Sequence, residues 1–488
     1  MKKHRNSSEI TAYTVVALLS AALSFVTMII LTRLASEDFF GKVSKFITAS
    51  NVVMSLICMG FDSAYIRFFY EPPATTNSKH LAWKCMFPTF IALLFMSIII
   101  ALLRNSPITS LLIGNNGNLF ITAFIATIFS LLLNRFMTIY FRMNSQILRF
   151  SIISIALVLL TRTIFIPVYS YSINFEYNII LMSLFLTLFM SVFFLFNRKD
   201  IIEIPHTSNV NYNQVYRFAF FSSPVFLITY LNSYMPQVII SKNLGDSVLG
   251  IYSAAILFCL AIQVLCSGFT TFWSPYMFRN YKKKNDVIKK VHDVILLGSV
   301  LILSVILIFN DFIYLFIGEN FRRNQEILGM LLIFPIVSIM VETTAYGISI
   351  KKKNEISLII YLISTVVNII LCYVLILKYE LKGVAVASMI SAIVQMILMT
   401  YFGQKYYRSI SSIARTSFHL IILILSAILF YYFYDNRLIF TIVEIAIIAV
   451  CLVYDRNVIL WILKALKSPS QSDEPEQPKI IDLQNPKQ

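Results

Sequence analysis

The sequence predicts an all-α integral membrane protein with about fourteen transmembrane helices, arranged as two parallel six-helix bundles followed by two more helices. Of the 488 residues, 58% are hydrophobic and only 13% are charged, whereas soluble domains carry roughly 25% charged residues. The apolar residues gather in blocks of about 17 to 24, long enough to cross a hydrocarbon core of about 30 Å as a helix. Helix is required because a spanning backbone must satisfy its own hydrogen bonds.

The apolar blocks show no sustained in/out alternation of the kind that a membrane barrel needs. The first block is longer than a signal peptide core and lacks a small-residue cleavage site, so we interpret it as a retained helix. In chain order the blocks are residues 12–32, 43–60, 82–103, 119–140, 152–169, 178–196, 218–240, 249–272, 294–309, 327–349, 356–377, 383–401, 418–434 and 438–453.

Short matches recur in the same order in two halves of the chain, which is typical of transporters. Residues 33–41 (RLASEDFFG) match 242–252 (KNLGDSVLGIY), and residues 63–67 (SAYIR) match 274–279 (SPYMFR). Six spans separate the copies, so both copies enter the membrane in the same sense. The predicted units are an N-terminal bundle, a C-terminal bundle, two extra helices, and a cytoplasmic amphipathic stretch with a disordered tail, at residues 1–210, 211–405, 406–457 and 458–488.

The basic residues predict the orientation. About 29 of the 40 Lys and Arg residues fall in one set of alternate loops, which by the positive-inside rule is cytoplasmic. Both termini are therefore expected in the cytoplasm. The net charge of +16 is explained by topology and contact with anionic headgroups, without nucleic acid as a partner.

No motif indicates an enzyme or a cofactor. The six cysteines all fall within predicted spans without a C-x-x-C pattern, and the five histidines have no metal-ligand spacing. No phosphate-binding glycine loop or nucleophile elbow occurs, and the loops are too short for a soluble catalytic domain. We therefore expect that the protein has no metal or organic cofactor.

Three segments carry a family resemblance. Residues 31–41 (LTRLASEDFFG) and 60–71 (GFDSAYIRFFYE), with 368–388 (NIILCYVLILKYELKGVAVAS), resemble Wzx-type polysaccharide biosynthesis flippases. These form the polysaccharide transporter branch of the multidrug/oligosaccharidyl-lipid/polysaccharide superfamily. The resemblance covers roughly residues 10–400. The chain departs from the family pattern at Ser36-Glu37, where a proline is usual, and at Val384-Ala385.

The resemblance implies a flippase that moves undecaprenyl-diphosphate-linked oligosaccharide repeat units across the bacterial inner membrane by alternating access. The product would be a surface polysaccharide such as O-antigen, capsule or exopolysaccharide. A polysaccharide polymerase and a chain-length regulator would then be partners, beside the lipid-linked oligosaccharide and membrane lipids.

Cations within spans are the expected substrate ligands, because a charge near the bilayer centre costs about 2.5–3.5 kcal/mol and suggests a function. Arg162, inside the fifth block, is the first candidate for the diphosphate or an acidic sugar. Arg33 and Lys45 are placed within snorkelling reach of the outer interface, and Arg67 and Arg135 complete the set. For these four, interfacial anchoring is the competing interpretation.

Polar residues within spans are the remaining candidates. Glu342 is the candidate for H⁺ or Na⁺ coupling, because a desolvated carboxylate can link protonation to shape. Asn232, Gln237 and Asn368 are predicted to line the cleft, with helix-to-helix hydrogen bonding as the competing role.

Three other functions stay open. A lipid II flippase shares the fourteen spans and a cationic cleft. A cation-coupled multidrug antiporter of the same superfamily usually has twelve spans and acidic cleft residues. An integral-membrane polymerase or acyltransferase would require a large outer loop or an intramembrane catalytic histidine.

Overall fold

The protein is all-α, as predicted. The structure, a computed structural model, describes residues 2–69, 72, 73, 76–107, 109, 113, 117–162, 175–203, 211–351 and 353–467, and no β-strand occurs within these ranges. The helices are α1 (Lys2–Leu34), α2 (Glu37–Cys58), α3 (Phe61–Phe68), α4 (Ser78–Leu102), α5 (Asn118–Met143), α6 (Ile147–Arg162), α7 (Phe175–Ile201), α8 (Asn213–Leu244), α9 (Asp246–Asn280), α10 (Asn285–Ile308), α11 (Asn310–Tyr314), α12 (Leu328–Thr344), α13 (Tyr346–Ile350), α14 (Asn354–Tyr406), α15 (Ile413–Tyr432), α16 (Arg437–Tyr454) and α17 (Arg456–Lys467).

Each of the fourteen predicted blocks falls on a helix. Within the described ranges, eight helices are long and apolar enough to span a bilayer, and the bent pair α2 and α3 passes the same test together. Two predicted blocks lie on α14, which is interrupted at Glu380 by a φ of 50°. Residues 163–169 of the fifth block and the tail 468–488 lie outside the described residues. The chain is a multi-pass membrane protein.

Large apolar side chains are exposed along the spans. Leu94, Phe196 and Leu377 have 66%, 85% and 72% of their surface accessible. Water would penalise so much continuous apolar surface, whereas lipid acyl chains solvate it. These side chains therefore mark the face that meets the bilayer.

Local sequence signals set both ends of α2. The Ser36 side chain accepts a hydrogen bond from the Phe39 amide and caps α2, and Glu37 with Asp38 complements the positive end of its dipole. The helix ends where Met59 and Gly60 adopt φ values of 46° and 74°. A glycine at this turn meets no Cβ penalty in that conformation.

In chain order, α1–α7 make up the N-terminal half and α8–α14 the C-terminal half. In the N-terminal half α5 packs on α7 and α6, and α1 packs on α6; in the C-terminal half α12 and α8 both pack on α14. The halves meet where α2 lies against α8 and α9, with α1 against α9 and α3 against α8. The last long helices, α15 and α16, pack on α10.

Candidate functional site

A cavity of about 280 Å³ lies between the two halves. Its walls come from α1, α2 and α6 of the N-terminal half and from α8 and α9 of the C-terminal half. Most of the lining is apolar, and Arg162 is the one charged residue among the described residues that line it. The polar residues of the wall are Ser44, Thr48, Asn51, Thr161, Arg162, Gln237 and Ser253.

Arg162, the first candidate from the sequence, lies on this cavity. It is the last residue of α6, and its Nη1 donates a 3.3 Å hydrogen bond to the carbonyl oxygen of Ser24 on α1. Ser24 lies ten residues before Leu34, the end of α1, which places the guanidinium about 15 Å along the helix from that end. Ser24 also lies near the centre of the apolar block 12–32, so Arg162 contacts the middle of that block.

A guanidinium has five N–H donors. Within the described chain, that of Arg162 makes the single hydrogen bond to Ser24. The other donors are therefore available to an anionic group that enters the cavity.

Gln237 faces the same cavity from α8. Its side chain is buried, and its Oε1 has no hydrogen-bond partner within the described residues. Buried carbonyl oxygens are nearly always paired, by protein or by another molecule. A ligand hydroxyl or a water molecule in the cavity would supply the missing donor. The predicted cleft position of Gln237 is consistent with this placement.

The halves close over one end of the cavity through a reciprocal glycine contact. A Cβ built on Gly41 would lie 2.0 Å from the carbonyl oxygen of Asp246, and one on Gly250 would lie 2.0 Å from that of Glu37. The two glycines occupy matching positions in the sequence matches at 33–41 and 242–252. Only glycine allows the α2 and α9 backbones to approach this closely.

Lys45 is buried beside that contact, and does not reach an interface as the sequence suggested. Its Nζ donates a 2.8 Å hydrogen bond to Ser241 Oγ, and Ser241 in turn donates to the carboxylate of Asp246. Lys45 belongs to the N-terminal half, and its two partners belong to the C-terminal half. The residue therefore forms part of a polar connection between the halves.

Arg33 also joins the halves. Its Nε donates to the carbonyl oxygen of Phe316 at 3.2 Å, and the neighbouring Gly318 amide donates to Thr32 Oγ1 at 3.3 Å. Arg67 is an exposed residue at the end of α3. Neither lines the cavity.

Arg135 forms an ion pair within the N-terminal half. Its guanidinium donates twice to Asp62 Oδ2, at 2.9 and 2.7 Å, and Asp62 is buried. This pair links α5 to α3. The geometry supports a structural role for Arg135 in this conformation.

The second predicted pair of cleft amides lies within the C-terminal half. Asn368 Nδ2 donates to Asn232 Oδ1 at 2.9 Å and connects α14 to α8. Glu342 is half-buried on α12, with its carboxyl beside Tyr346 and its backbone carbonyl accepting from Trp273 Nε1 at 3.2 Å. None of the three lines the cavity.

A charged cluster that the sequence did not predict connects α10 to the last helices. Asp293 accepts from Arg415 at 2.8 Å, and Asp455 accepts from His419 at 2.7 Å, with Arg415 3.5 Å from Asp455. Arg415 and His419 lie one helical turn apart, which is a weak sequence signal. Their partners are far along the chain, so spacing alone could not reveal the cluster.

The fold is shared with solved membrane transporters. A structure of the lipid II flippase MurJ in an inward closed conformation matches with a TM-score of 0.66 at 15% identity, over 92% of this chain and 99% of that one. The Vibrio cholerae MATE transporter VcmN matches with a TM-score of 0.55 at 14% identity, over 83% and 98%. A transporter of the MOP superfamily from Pyrococcus furiosus matches with a TM-score of 0.52 at 13% identity, over 81% and 95%.

No protein-family model and no curated protein matches the sequence. At identities this low, the structural likeness establishes the fold. Two of the matching structures are described as transporters of the MOP superfamily, and a third is described as a lipid II flippase.

Proposed function

We propose that this protein is a flippase for lipid-linked oligosaccharides, and that undecaprenyl-diphosphate-linked repeat units cross the bacterial inner membrane through it for surface polysaccharide synthesis. The observation that carries the proposal is the position of Arg162, against the middle of the apolar block of α1, in a cavity between two halves that share the fold of a known flippase.

The charge of the cavity favours an anionic substrate. Arginine binds phosphate oxygens through charge-assisted hydrogen bonds with a fixed geometry. The described lining contains no Asp or Glu that would attract a cationic drug instead. A diphosphate passing between the halves would meet the free N–H donors of Arg162 in the least polar part of the membrane.

The neutral polar wall fits a sugar. Gln237 offers an unpaired carbonyl oxygen, and Asn51, Ser44 and Ser253 contribute further polar atoms to the lining. Sugar hydroxyls donate and accept hydrogen bonds, and would satisfy these groups as water does.

Transport requires the halves to separate. A cavity of about 280 Å³ is smaller than the sites of about 300–1,000 Å³ that enclose drug-sized ligands. We therefore assign this conformation to a closed stage of alternating access. Rocking of the halves about the cavity would expose it to each leaflet in turn, with no covalent step.

Coupling and orientation complete the proposal. Glu342 would bind H⁺ or Na⁺ through its half-buried carboxyl. The positive-inside rule places both termini in the cytoplasm. A polysaccharide polymerase and a chain-length regulator would receive the product outside.

A lipid II flippase is the second candidate. The MurJ structure matches 92% of this chain, whereas the MATE structure matches 83%. The part of this chain that only the MurJ structure covers is about as long as a pair of membrane-spanning helices. This favours a fourteen-helix flippase over a twelve-helix antiporter. Both flippase substrates carry a diphosphate, so Arg162 does not distinguish them.

The test is leaflet-resolved flipping of a labelled undecaprenyl-diphosphate oligosaccharide in proteoliposomes. We expect Arg162→Ala to slow flipping about tenfold or more, the loss expected for a charged hydrogen bond. Arg149→Ala is the matched control, because Arg149 lies on the same helix but pairs with Asp200 at the surface. Flipping of lipid II alone would favour the second candidate, and no flipping by correctly folded wild type would refute both.

A further inference from the structure

A second cavity, of about 890 Å³, lies between the last turns of α14 and the first turns of α15. We name it the α14–α15 crevice. It lies away from the cavity that holds Arg162, and the transport proposal does not use it. Its lining comes entirely from residues 396–420.

The crevice has a cationic mouth. Lys405 and Arg408 are exposed at its rim. Neither side chain makes a hydrogen bond or an ion pair within the part of the chain that the structure describes. Two unpaired cations at one opening attract an anion.

An apolar strip runs along the crevice beside its polar lining residues. Ile397, Tyr401 and Lys405 follow one another at four-residue intervals, so they share a face of α14 over about 12 Å. Ile397 and Tyr401 keep 52% and 63% of their surface exposed. On the facing helix, the strip continues with Ile413, which is 70% exposed, and with Leu420 two turns further along α15. The crevice therefore changes from charged to apolar along its length.

Hydrogen bonds of Gln404 hold the linker between α14 and α15 in place. Gln404 Nε2 donates to the carbonyl oxygen of Thr344 and to Ser409 Oγ, both at 2.8 Å. Its Oε1 accepts from the amides of Ser409 and Ile410 at 2.9 and 3.2 Å. With its polar atoms satisfied in this way, Gln404 holds the linker from α14 to α15 against the protein and keeps the crevice open.

The crevice opens on the face of the membrane that carries the basic run 281–290. The Tyr407 hydroxyl donates to the carbonyl oxygen of Tyr281 at 2.7 Å, which fixes the two segments side by side. Loops rich in Lys and Arg lie at the cytoplasmic leaflet, where anionic lipids are concentrated.

We propose that the α14–α15 crevice binds one anionic phospholipid of the inner leaflet. Lys405 and Arg408 contact the phosphate, and an acyl chain lies along Ile397, Tyr401 and Leu420. A soluble anion would use only the rim, and a neutral lipid would use only the apolar wall. A phospholipid of net negative charge uses both.

The experiment is native mass spectrometry of the full-length protein in mild detergent, with phosphatidylglycerol or phosphatidylcholine of identical acyl chains. We expect phosphatidylglycerol to be retained preferentially. The double substitution Lys405→Ala/Arg408→Ala should weaken its retention about 30-fold, because each basic residue near a membrane surface adds about fivefold. Lys282→Ala/Lys283→Ala removes the same charge from exposed positions on the same face and should leave retention unchanged.

A second variant tests the apolar wall. Ser417 is an exposed residue of the lining, and Ser417→Trp would fill the crevice while leaving both cations in place. Loss of phosphatidylglycerol from this variant supports an acyl chain between the helices.

Several results would overturn the proposal. These are equal retention of phosphatidylcholine, equal retention by the Lys405→Ala/Arg408→Ala protein, or displacement of the lipid by inorganic phosphate, which would indicate a soluble anion. A lipid-free dimer that dissociates on the double substitution would assign the crevice to a second copy of the chain.

Discussion

The second span of the N-terminal half and the matching span of the C-terminal half differ in shape. In the N-terminal half the second span is broken into α2 and α3, which are bent by 57° at Met59 and Gly60. In the C-terminal half the matching span, α9, continues without a break for 35 residues. Both begin at the reciprocal glycine contact, so the halves are alike at one end of this span and diverge at the other.

The contacts beyond the break differ in chemistry. In the N-terminal half the buried carboxylate of Asp62 pairs with Arg135 of α5. In the C-terminal half Trp273 stacks between Phe269 and Tyr276, with ring centroids 5.5 and 5.6 Å away. Trp273 also donates to the backbone of Glu342 on α12. A bent, ion-paired connection in one half thus corresponds to a continuous aromatic one in the other.

The bend at Met59 and Gly60 also produces a further contact between the halves, where α3 meets α8. A Cβ built on Gly60 would lie 2.3 Å from the carbonyl oxygen of Ala219, and Phe61 packs against Tyr216 at 5.7 Å. The bend carries α3 against α8. The difference shows that a repeated sequence position need not keep its role. Asp62 and Trp273 each precede a matched serine, yet Asp62 pairs with an arginine and Trp273 stacks on aromatic rings.

The largest expected effect comes from breaking the ion pair. Asp62→Asn should lower the free energy of unfolding by about 3 kcal/mol, because it leaves the Arg135 guanidinium without its charged partner. Reversible unfolding in mixed detergent micelles measures this. Adding Arg135→Gln to the first substitution should cost less than the sum of the two single losses. Additive losses would show that the two side chains act independently.

The matching test in the C-terminal half is Trp273→Phe. This substitution keeps an aromatic ring in the stack, removes one hydrogen bond and leaves part of the buried indole volume unfilled, so the expected loss is about 2 kcal/mol. An equal or greater loss than for Asp62→Asn would contradict the contrast between the two halves.

The next prediction concerns the reciprocal glycine contact, where the two halves are alike. Gly41→Ala and Gly250→Ala should each cost about 2 kcal/mol, since each added Cβ meets backbone that cannot move aside. Gly298→Ala is the control, because a Cβ there meets no atom within 4 Å, and it should stabilise α10 by about 0.5–1 kcal/mol. Thermal unfolding of each of the three variants measures the change in stability. A large loss for one of the contact glycines alone would disprove the reciprocal contact.

The smallest effect concerns pH at the surface of the N-terminal half. Asn77 donates to Glu203 at 3.2 Å, and His80 lies 3.2 Å from its other oxygen. The Asn77 hydrogen bond, with a smaller contribution from the charge of His80, lowers the pKa of Glu203 below its ordinary value of 4.5. A lowered pKa in the folded state stabilises the protein above pH 4.5, and this contribution is lost as the pH falls through the lowered pKa.

Carboxyl NMR of labelled glutamate can follow this titration, with Glu203→Gln to assign the signal. We expect a midpoint below 4.5, moving upward in Asn77→Ala. A midpoint that does not respond to Asn77→Ala would remove that hydrogen bond as the cause.

Sequence reasoning located Arg162 because a cation in an apolar block departs sharply from its surroundings. It ranked Arg162 first, but it could not show that Lys45 and Arg135 each have a polar partner within the fold. The partners that occupy those two side chains lie 196 and 73 residues away, at Ser241 and Asp62. An amide such as Gln237 gives even less signal, since Asn232 and Asn368 look the same in the sequence but bind each other.

The sequence by itself determined the solvent, the helices and the order of the spans, because apolar block length and backbone hydrogen bonding in lipid leave no other solution. Only the tertiary structure decided which polar side chains satisfy one another and which remain available. That outcome depends on distances between helices far apart in the chain. The cavity around Arg162, the glycine contact and the α14–α15 crevice all arise at that level.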